Sequence, residues 1–371
     1  MEIFVTGSTG LLGQKFMTAV FSNTKVSKAY LLVRDVDRAK SLLKQVMRNH
    51  HDKIEFLLGD ISKKNFGLVN GDLKKLKNIE TFYHLAALVH LGTSDRVKEK
   101  LANINHKGTK HSLELIDRMP NLEHFVFVST AYSAGVYGKK IPETWLENPK
   151  SFRNHYEESK FNCERLIKEK LSTSDIHYSI VRPSILLDTP DNPAVSKHTI
   201  YLFSKFMSKY SAMMPRDLTL VGNLKSTLNF VFVDDLIPFV LAAGKTHESK
   251  IYNFVNEDNM TVSQLLSIMK SGLAIVQNIH FIDEIPSHGD NLLINILEKV
   301  KAFNPYTLHG SMDWSRKNTA KLLEDHNLQM KGKEDIVLNL ENYCKYLRRS
   351  RPLKLKMVSG VNKFRNLFKS I

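Results

Sequence analysis

Tyr156 and Lys160 stand four residues apart in the run Tyr156-Glu157-Glu158-Ser159-Lys160. A helix places such residues on one face, one turn apart. An ammonium beside a phenol favours the phenolate and lowers a pKa that is about 10 in isolation. The tyrosine can then exchange a proton with a carbonyl or hydroxyl near neutral pH. Upstream, Phe125-Val126-Phe127-Val128 leads into Ser129 and Thr130. A hydroxyl at such a strand end can hold a substrate oxygen beside the phenol. Thr130 is the preferred candidate, with Ser129 left to satisfy local backbone groups.

A second constellation opens the chain. Ile3-Phe4-Val5 runs into Thr6-Gly7-Ser8-Thr9-Gly10-Leu11-Leu12-Gly13 and then a helical pattern. Gly7, Gly10 and Gly13 permit a tight turn, close approach to a pyrophosphate and close helix packing. Thr9, Leu11 and Leu12 lie between them, where the helix N-terminus offers free N–H groups. The second strand ends in Leu32-Val33-Arg34-Asp35, about twenty residues on, where an Arg accommodates a 2′-phosphate. Arg34 therefore points to NADPH over NADH. Alternatively, Arg34 is a solvated loop residue and Asp35 caps the next helix. Asp60 and Ile61 end the third strand where an adenine would lie, and Ala86 follows the fourth where a nicotinamide riboside would approach. Pro183, Tyr156 and Lys160 complete the set expected to line the cofactor. No metal is expected.

These residues need a scaffold, and the chain supplies one. Short β-branched or apolar runs alternate with helical patterns, the sign of a parallel sheet covered on both faces. Strands are expected near Ile3 to Val5, Ala29 to Val33, Ile54 to Leu58, Thr81 to His84, Phe125 to Ser129 and Tyr178 to Val181. Helices are expected over 11 to 22, 36 to 49, 94 to 117 and 152 to 170. The expected fold is α/β, a Rossmann-type doubly wound parallel sheet with a smaller, mostly helical C-terminal substrate region. Residues 1–187 form the dinucleotide-binding part and 188–344 the substrate part, with a return strand at Asn229 to Val233 and a helix to about 244 rejoining the core. Helices are expected to dominate from 261 to 349. An apolar, Met-rich stretch from Tyr201 to Met214 hints at the substrate pocket.

The chain has 371 residues, 42% of them hydrophobic, enough for a substantial core. Cys163 and Cys344 are too few and too distant for a disulfide framework or a clustered zinc site, so a reducing compartment is expected. No signal peptide is read at Met1-Glu2-Ile3-Phe4-Val5, and no apolar run is long enough to span a bilayer. Of the net charge of +15, residues 345–371 supply the larger part, with no acidic residue among them. Apolar and basic residues alternate at helical spacing in 354–371, which suits either peripheral contact with an anionic membrane or a helix packed on the body. Nucleic acid is not an expected partner, since no nucleic-acid motif accompanies the charge. The expected location is cytoplasmic, with peripheral contact at the inner face of a membrane and a homodimer both open.

The ordered motifs together resemble the extended short-chain dehydrogenase/reductase superfamily. They run from the glycine loop through Asn105-His106-Lys107-Gly108-Thr109, Tyr156 and Lys160 to Val181-Arg182-Pro183-Ser184 and Phe232-Val233-Asp234-Asp235. The resemblance implies a catalytic set of Thr130, Tyr156 and Lys160. It makes Asn105 either a support for a proton relay or a buried helix-packing amide. Within the superfamily the chain is similar to the thioester reductase and fatty-acyl reductase branch. Tyr83-His84-Leu85-Ala86-Ala87, Phe303-Asn304-Pro305-Tyr306, Met312-Asp313-Trp314 and Asn318-Thr319-Ala320-Lys321 carry that likeness. The implied activity is NADPH-dependent reduction of a small-molecule or carrier-bound acyl thioester, or of the corresponding aldehyde. A nucleotide-sugar epimerase or dehydratase with tightly bound NAD is the alternative, and a ketone or sterol-type alcohol dehydrogenase is also open. A cofactor-sensing protein without turnover is the non-enzyme alternative, against which the intact Thr130, Tyr156 and Lys160 count.

Overall fold

Runs such as Ile3-Phe4-Val5 and Phe125-Val126-Phe127 are apolar on both faces, as strands must be when helices cover both sides of a sheet. In the computed structural model seven such runs pair in parallel. Their spatial order is Lys250–Phe254, His177–Pro183, His124–Val128, Thr81–His84, Glu2–Thr6, Lys28–Val33 and Ile54–Leu58. The structure describes residues 1–23, 25–147, 149–189, 199–210, 217–275, 278–282, 303–308 and 312–350. The strand order reverses between Glu2–Thr6 and Thr81–His84. At such a switch point the two connections leave in opposite directions and open a crevice beyond the strand ends.

One core lies on each face of the sheet. Ile3, Val5, Phe16, Val126 and Phe239 belong to one, and Phe4, Phe82, Phe125, Phe127 and Ile167 to the other. A third cluster, around Tyr201, Phe230, Leu265, Leu340 and Tyr343, joins the helices Thr199–Tyr210, Val262–Leu273 and Lys333–Arg349 on the substrate side.

Several elements differ from the sequence reading. The expected helix over 36 to 49 is two, Val36–Leu42 and Lys44–His50, broken at Leu43 (φ −100°, ψ 15°). The break lets Ala39, Leu43 and Val46 all enter one core. The helix expected over 94 to 117 is wound as a π segment over Ala102–His106. The return strand is Phe230–Phe232, and it pairs with Ile185–Leu187 outside the main sheet. The strand that does rejoin the sheet is Lys250–Phe254, against His177–Pro183. In the stretch expected to be helical, Asn278–Ile282 is a strand in parallel with Asp217–Val221. Ile279 and Phe281 alternate with polar neighbours there, a strand period that the surrounding helical pattern obscures.

Candidate active site

The glycine loop is shaped by close backbone contact. Gly7 has φ +80°, and a Cβ on it would stand 2.6 Å from the Ala86 nitrogen. A Cβ on Gly13 would stand 2.6 Å from Ser8 Cα. Gly10 is exposed and meets only the Gly7 carbonyl, whose oxygen accepts its N–H at 3.0 Å. Leu11, Leu12 and Gly13 begin the helix Leu11–Asn23, so their N–H groups have no carbonyl one turn earlier. The Thr9 carbonyl accepts from Gln14 Nε2 at 3.0 Å, which ties the loop to that helix. The Ser8 hydroxyl is fully buried and has no hydrogen-bond partner among the described residues. A tight cradle, free helix amides and an orphaned hydroxyl fit the phosphates of a dinucleotide. Replacing Gly13 with Ala is expected to weaken cofactor binding by more than about tenfold, since neither contact is a flexible side chain; nicotinamide fluorescence titration reads the loss.

Beyond the second strand Arg34 is exposed. Asp35 accepts from the Arg38 N–H at 2.9 Å and caps the helix Val36–Leu42. That is the capping role weighed for Asp35, and the exposure of Arg34 is that of the solvated loop residue weighed with it. Asp60 Oδ1 accepts from the N–H and hydroxyl of Ser62, both at 2.8 Å. Burial raises the Asp60 pKa, but these bonds together with the Arg34 and Lys63 charges outweigh it and hold the carboxyl below its ordinary value. The Ile61 carbonyl lies 2.9 Å from His111 Nδ1, and the Ile61 side chain fills the space a Cβ on Gly108 would need.

The helix His155–Leu171 buries Lys160, Cys163, Glu164, Ile167 and Leu171 along one stripe. Lys160 therefore enters the protein on the apolar face. Its Nζ donates to the Val128 carbonyl at 2.7 Å and sits 4.3 Å from the Phe127 ring centre. Burial pushes its pKa down to about 8. Tyr156, four residues earlier, is half-buried, and burial pushes its phenol well above the ordinary value. The sequence reading expects the lysine to lower that value. In the structure the ammonium is engaged by Val128, and desolvation dominates at the phenol.

Thr130 ends the adjoining strand. Its Oγ1 donates to the Pro183 carbonyl at 3.4 Å and accepts from Tyr132 N–H at 3.3 Å, capping the turn Ala131–Ala134. Ser129 instead donates to Glu164 Oε1 at 2.5 Å. Glu164 also takes Ser133 at 3.0 Å and a three-bond fork from Arg182, whose Nη2 lies 2.6 Å from Oε2. Arg182 donates onward to the Pro142 and Thr144 carbonyls. This buried network ties three neighbouring elements together: the strand end, the helix and the strand His177–Pro183.

Asn105 lies in the π segment. Its Oδ1 accepts from Leu88 N–H at 2.8 Å, and its Nδ2 donates to the Leu88 carbonyl and to Ser159 Oγ, each at 3.0 Å. Ser159 in turn donates to the Tyr156 carbonyl. Asn105 thereby joins the segment after Thr81–His84 to the helix carrying Tyr156.

Four sets of contacts at the site are not expected from the sequence. Asn154 caps the helix, accepting from Tyr156 and Glu157 N–H at 3.1 Å; the spelling Asn-x-x-Glu signals it. Tyr306 accepts from Asn154 Nδ2 at 2.7 Å. Glu143 receives the Asn318 and Thr319 amides and the Thr319 hydroxyl at 2.6 to 3.0 Å, while Trp314 Nε1 donates to the Ala131 carbonyl at 3.2 Å. The late motifs at 303–306, 312–314 and 318–321 therefore all converge on the segments flanking Thr130 and Tyr156.

Among the described residues no cluster of His, Cys, Asp or Glu is arranged to hold a metal ion.

Comparison with known proteins agrees with this arrangement. Residues 5–239 match an NAD-binding family described as male sterility protein. The chain is 28% identical over 233 residues to fatty acyl-CoA reductase 2 of Homo sapiens, a stretch that is 52% of this chain and 44% of the relative. It thus spans less than half the length of that curated relative. The terminal R domain of the myxalamid PKS-NRPS biosynthetic pathway has the same fold, with a TM-score of 0.75 at 19% identity, covering 94% of this chain and 91% of that one. UDP-glucuronic acid 4-epimerase from Bacillus cereus, solved with UDP-glucuronic acid and NAD, follows at a TM-score of 0.66 and 19% identity over 94% and 100% of the two chains. The matched region carries the glycine loop, Thr130, Tyr156, Lys160 and Pro183 in one NAD-binding fold. The chain belongs to the male sterility protein family of NAD-binding proteins.

Proposed function

We propose that this chain is an NADPH-dependent reductase of an apolar acyl thioester, or of the corresponding aldehyde. The carrying observation is that the glycine loop follows Glu2–Thr6 at the switch point, while Thr130 and the Lys160 ammonium lie at the C-terminal end of His124–Val128, two strands along the same edge. The likeness to fatty acyl-CoA reductase 2 supports the acyl class.

Bound in the crevice, the nicotinamide supplies hydride to the carbonyl carbon. Thr130 Oγ1 orients the carbonyl oxygen, and Tyr156 donates its phenolic proton to that oxygen. The burial that raises the phenol's pKa keeps this proton in place in the reducing direction. Lys160 holds a buried positive charge one turn away, anchored on Val128, and is the residue placed to meet a ribose hydroxyl. For a thioester, collapse of the resulting hemithioacetal expels the thiol and leaves an aldehyde.

The first test is nicotinamide oxidation with acyl-CoA, acyl-carrier and aldehyde substrates, with NADH as control. Substrate-dependent oxidation that prefers NADPH supports the reading. Silence throughout, with NAD retained by the purified protein, favours the nucleotide-sugar alternative, to which the epimerase likeness belongs. Replacing Arg34 with Ala is expected to weaken NADPH by roughly 10- to 100-fold, the worth of a charged phosphate contact, and NADH hardly at all. Equal losses for both would remove the 2′-phosphate role.

A cytoplasmic location, a carrier-bound acyl donor, a homodimer and membrane contact through residues 354–371 belong to the same proposal. That tail lies outside the described residues. Among the described residues no helix is long and apolar enough to cross a membrane.

A further inference from the structure

The helix carrying Tyr156 begins at a cap that is itself held from outside the main sheet. Asn154 Oδ1 accepts from the Tyr156 and Glu157 N–H groups, while its Nδ2 donates to the Tyr306 hydroxyl at 2.7 Å. The terminal torsion of an asparagine is soft, so a partner on each end of the amide fixes which way the cap faces. Tyr306 is firmly seated. Its ring meets Tyr132 edge-on at 5.3 Å, and the Arg153 guanidinium lies 5.7 Å from its centre. The short helix Asn304–Leu308 that carries it is pinned through the next residue: Thr307 Oγ1 donates to the Val221 carbonyl at 3.1 Å, and the Thr307 carbonyl accepts from Asn223 N–H at 2.7 Å. Val221 closes the strand Asp217–Val221, half of the small parallel pair on the substrate side. An unbroken series of contacts therefore runs from that pair through Thr307, Tyr306 and Asn154 to the first turn of the helix.

We propose that Tyr306 is a positioning residue for Tyr156, holding the Asn154 cap and so coupling the substrate-side strand pair to the placement of the phenol. Its catalytic consequence rests on the reductase reading, whereas the hold on the helix does not. Replacing Tyr306 with Phe keeps the ring on Tyr132 and removes only the hydroxyl, with its bond from Asn154 and its contact with the buried Glu157 carboxyl in the same helical turn. Two measurements on the full chain separate the questions: amide hydrogen exchange in the first turn of His155–Leu171, and steady-state kinetics with whichever carbonyl substrate the wild type reduces.

Exchange at Tyr156 and Glu157 is expected to rise about five- to tenfold, the worth of a weakened cap, with the remainder of the helix unchanged. The turnover number should fall about tenfold while KM for NADPH and the thermal midpoint hold. A merely structural tyrosine would move those last two together with turnover. In an Asn154→Ala background, adding Tyr306→Phe should then cost little more, since the hydroxyl acts through that cap. Unchanged exchange overturns the proposal, as does raised exchange with undiminished turnover. If exchange responds but the wild type reduces no thioester or aldehyde, the hold on the helix stands and the reductase reading fails.

Discussion

Replacing Tyr156 with Phe is expected to lower turnover by roughly 10²- to 10⁴-fold, the usual worth of a positioned general acid, while NADPH still binds. The ring remains to pack where the tyrosine packs, so the only group removed is the hydroxyl that gives its proton to the substrate oxygen. Single-turnover absorbance and a cofactor titration separate the two effects. Activity within threefold or so of the wild type would remove Tyr156 from the chemistry. A parallel loss of cofactor binding would instead mean that the ring shapes the nicotinamide pocket. Lys160→Met complements this test. Its buried ammonium holds the Val128 carbonyl, so both the acid's surroundings and the strand end should suffer, and stability should fall along with turnover.

The second large effect concerns stability. Glu164 and Arg182 have almost fully buried side chains, 3% and 0% exposed, and join through contacts as short as 2.6 Å. Removing one partner leaves a charge without compensation, a loss of about 3 to 5 kcal/mol. Glu164→Gln should therefore lower the free energy of unfolding by that amount in denaturant titration. Replacing both residues with Met should recover only part of the loss: no isolated charge then remains, but the Ser129 and Ser133 hydroxyls and the Pro142 and Thr144 carbonyls lose their partners. The exposed pair Lys170–Asp117 has the same 2.6 Å separation, yet Lys170→Met should cost no more than about 1 kcal/mol. Equal penalties for the two pairs would show that burial is not what sets the cost.

The strand Thr81–His84 is legible to the residue because it is buried on both faces, and Ile54–Leu58 because its largely apolar run stops at Gly59, although Leu58 is exposed at the sheet edge. The glycine loop is legible because its spacing has a steric meaning that survives any tertiary context. The strand Lys250–Phe254 is hidden: Lys250 and Asn253 interrupt its pattern, and Asn253 is tolerated only because its Nδ2 donates to the Ile141 and Ser315 carbonyls. Such compensation comes from residues more than sixty positions away, and no local window contains it. The same holds at the active site. Tyr156, Lys160 and Thr130 announce themselves by type and spacing, whereas Glu164 reads as an ordinary helix carboxylate until Arg182 is found beside it. Lys160 shows the limit of spacing alone. Four residues from Tyr156 means one face of a helix, but the fold decides that its ammonium reaches Val128.

The late arrival of Lys250–Phe254 in the main sheet has a consequence for biosynthesis. Until residue 254 has left the ribosome, His177–Pro183 presents a bare row of N–H and C=O groups, the kind of edge that recruits other chains. The residues between 187 and 250 must therefore emerge while the nucleotide-binding half is still open to aggregation. A fragment ending near residue 187 would keep every residue assigned to the chemistry and still lack the strand that covers that edge.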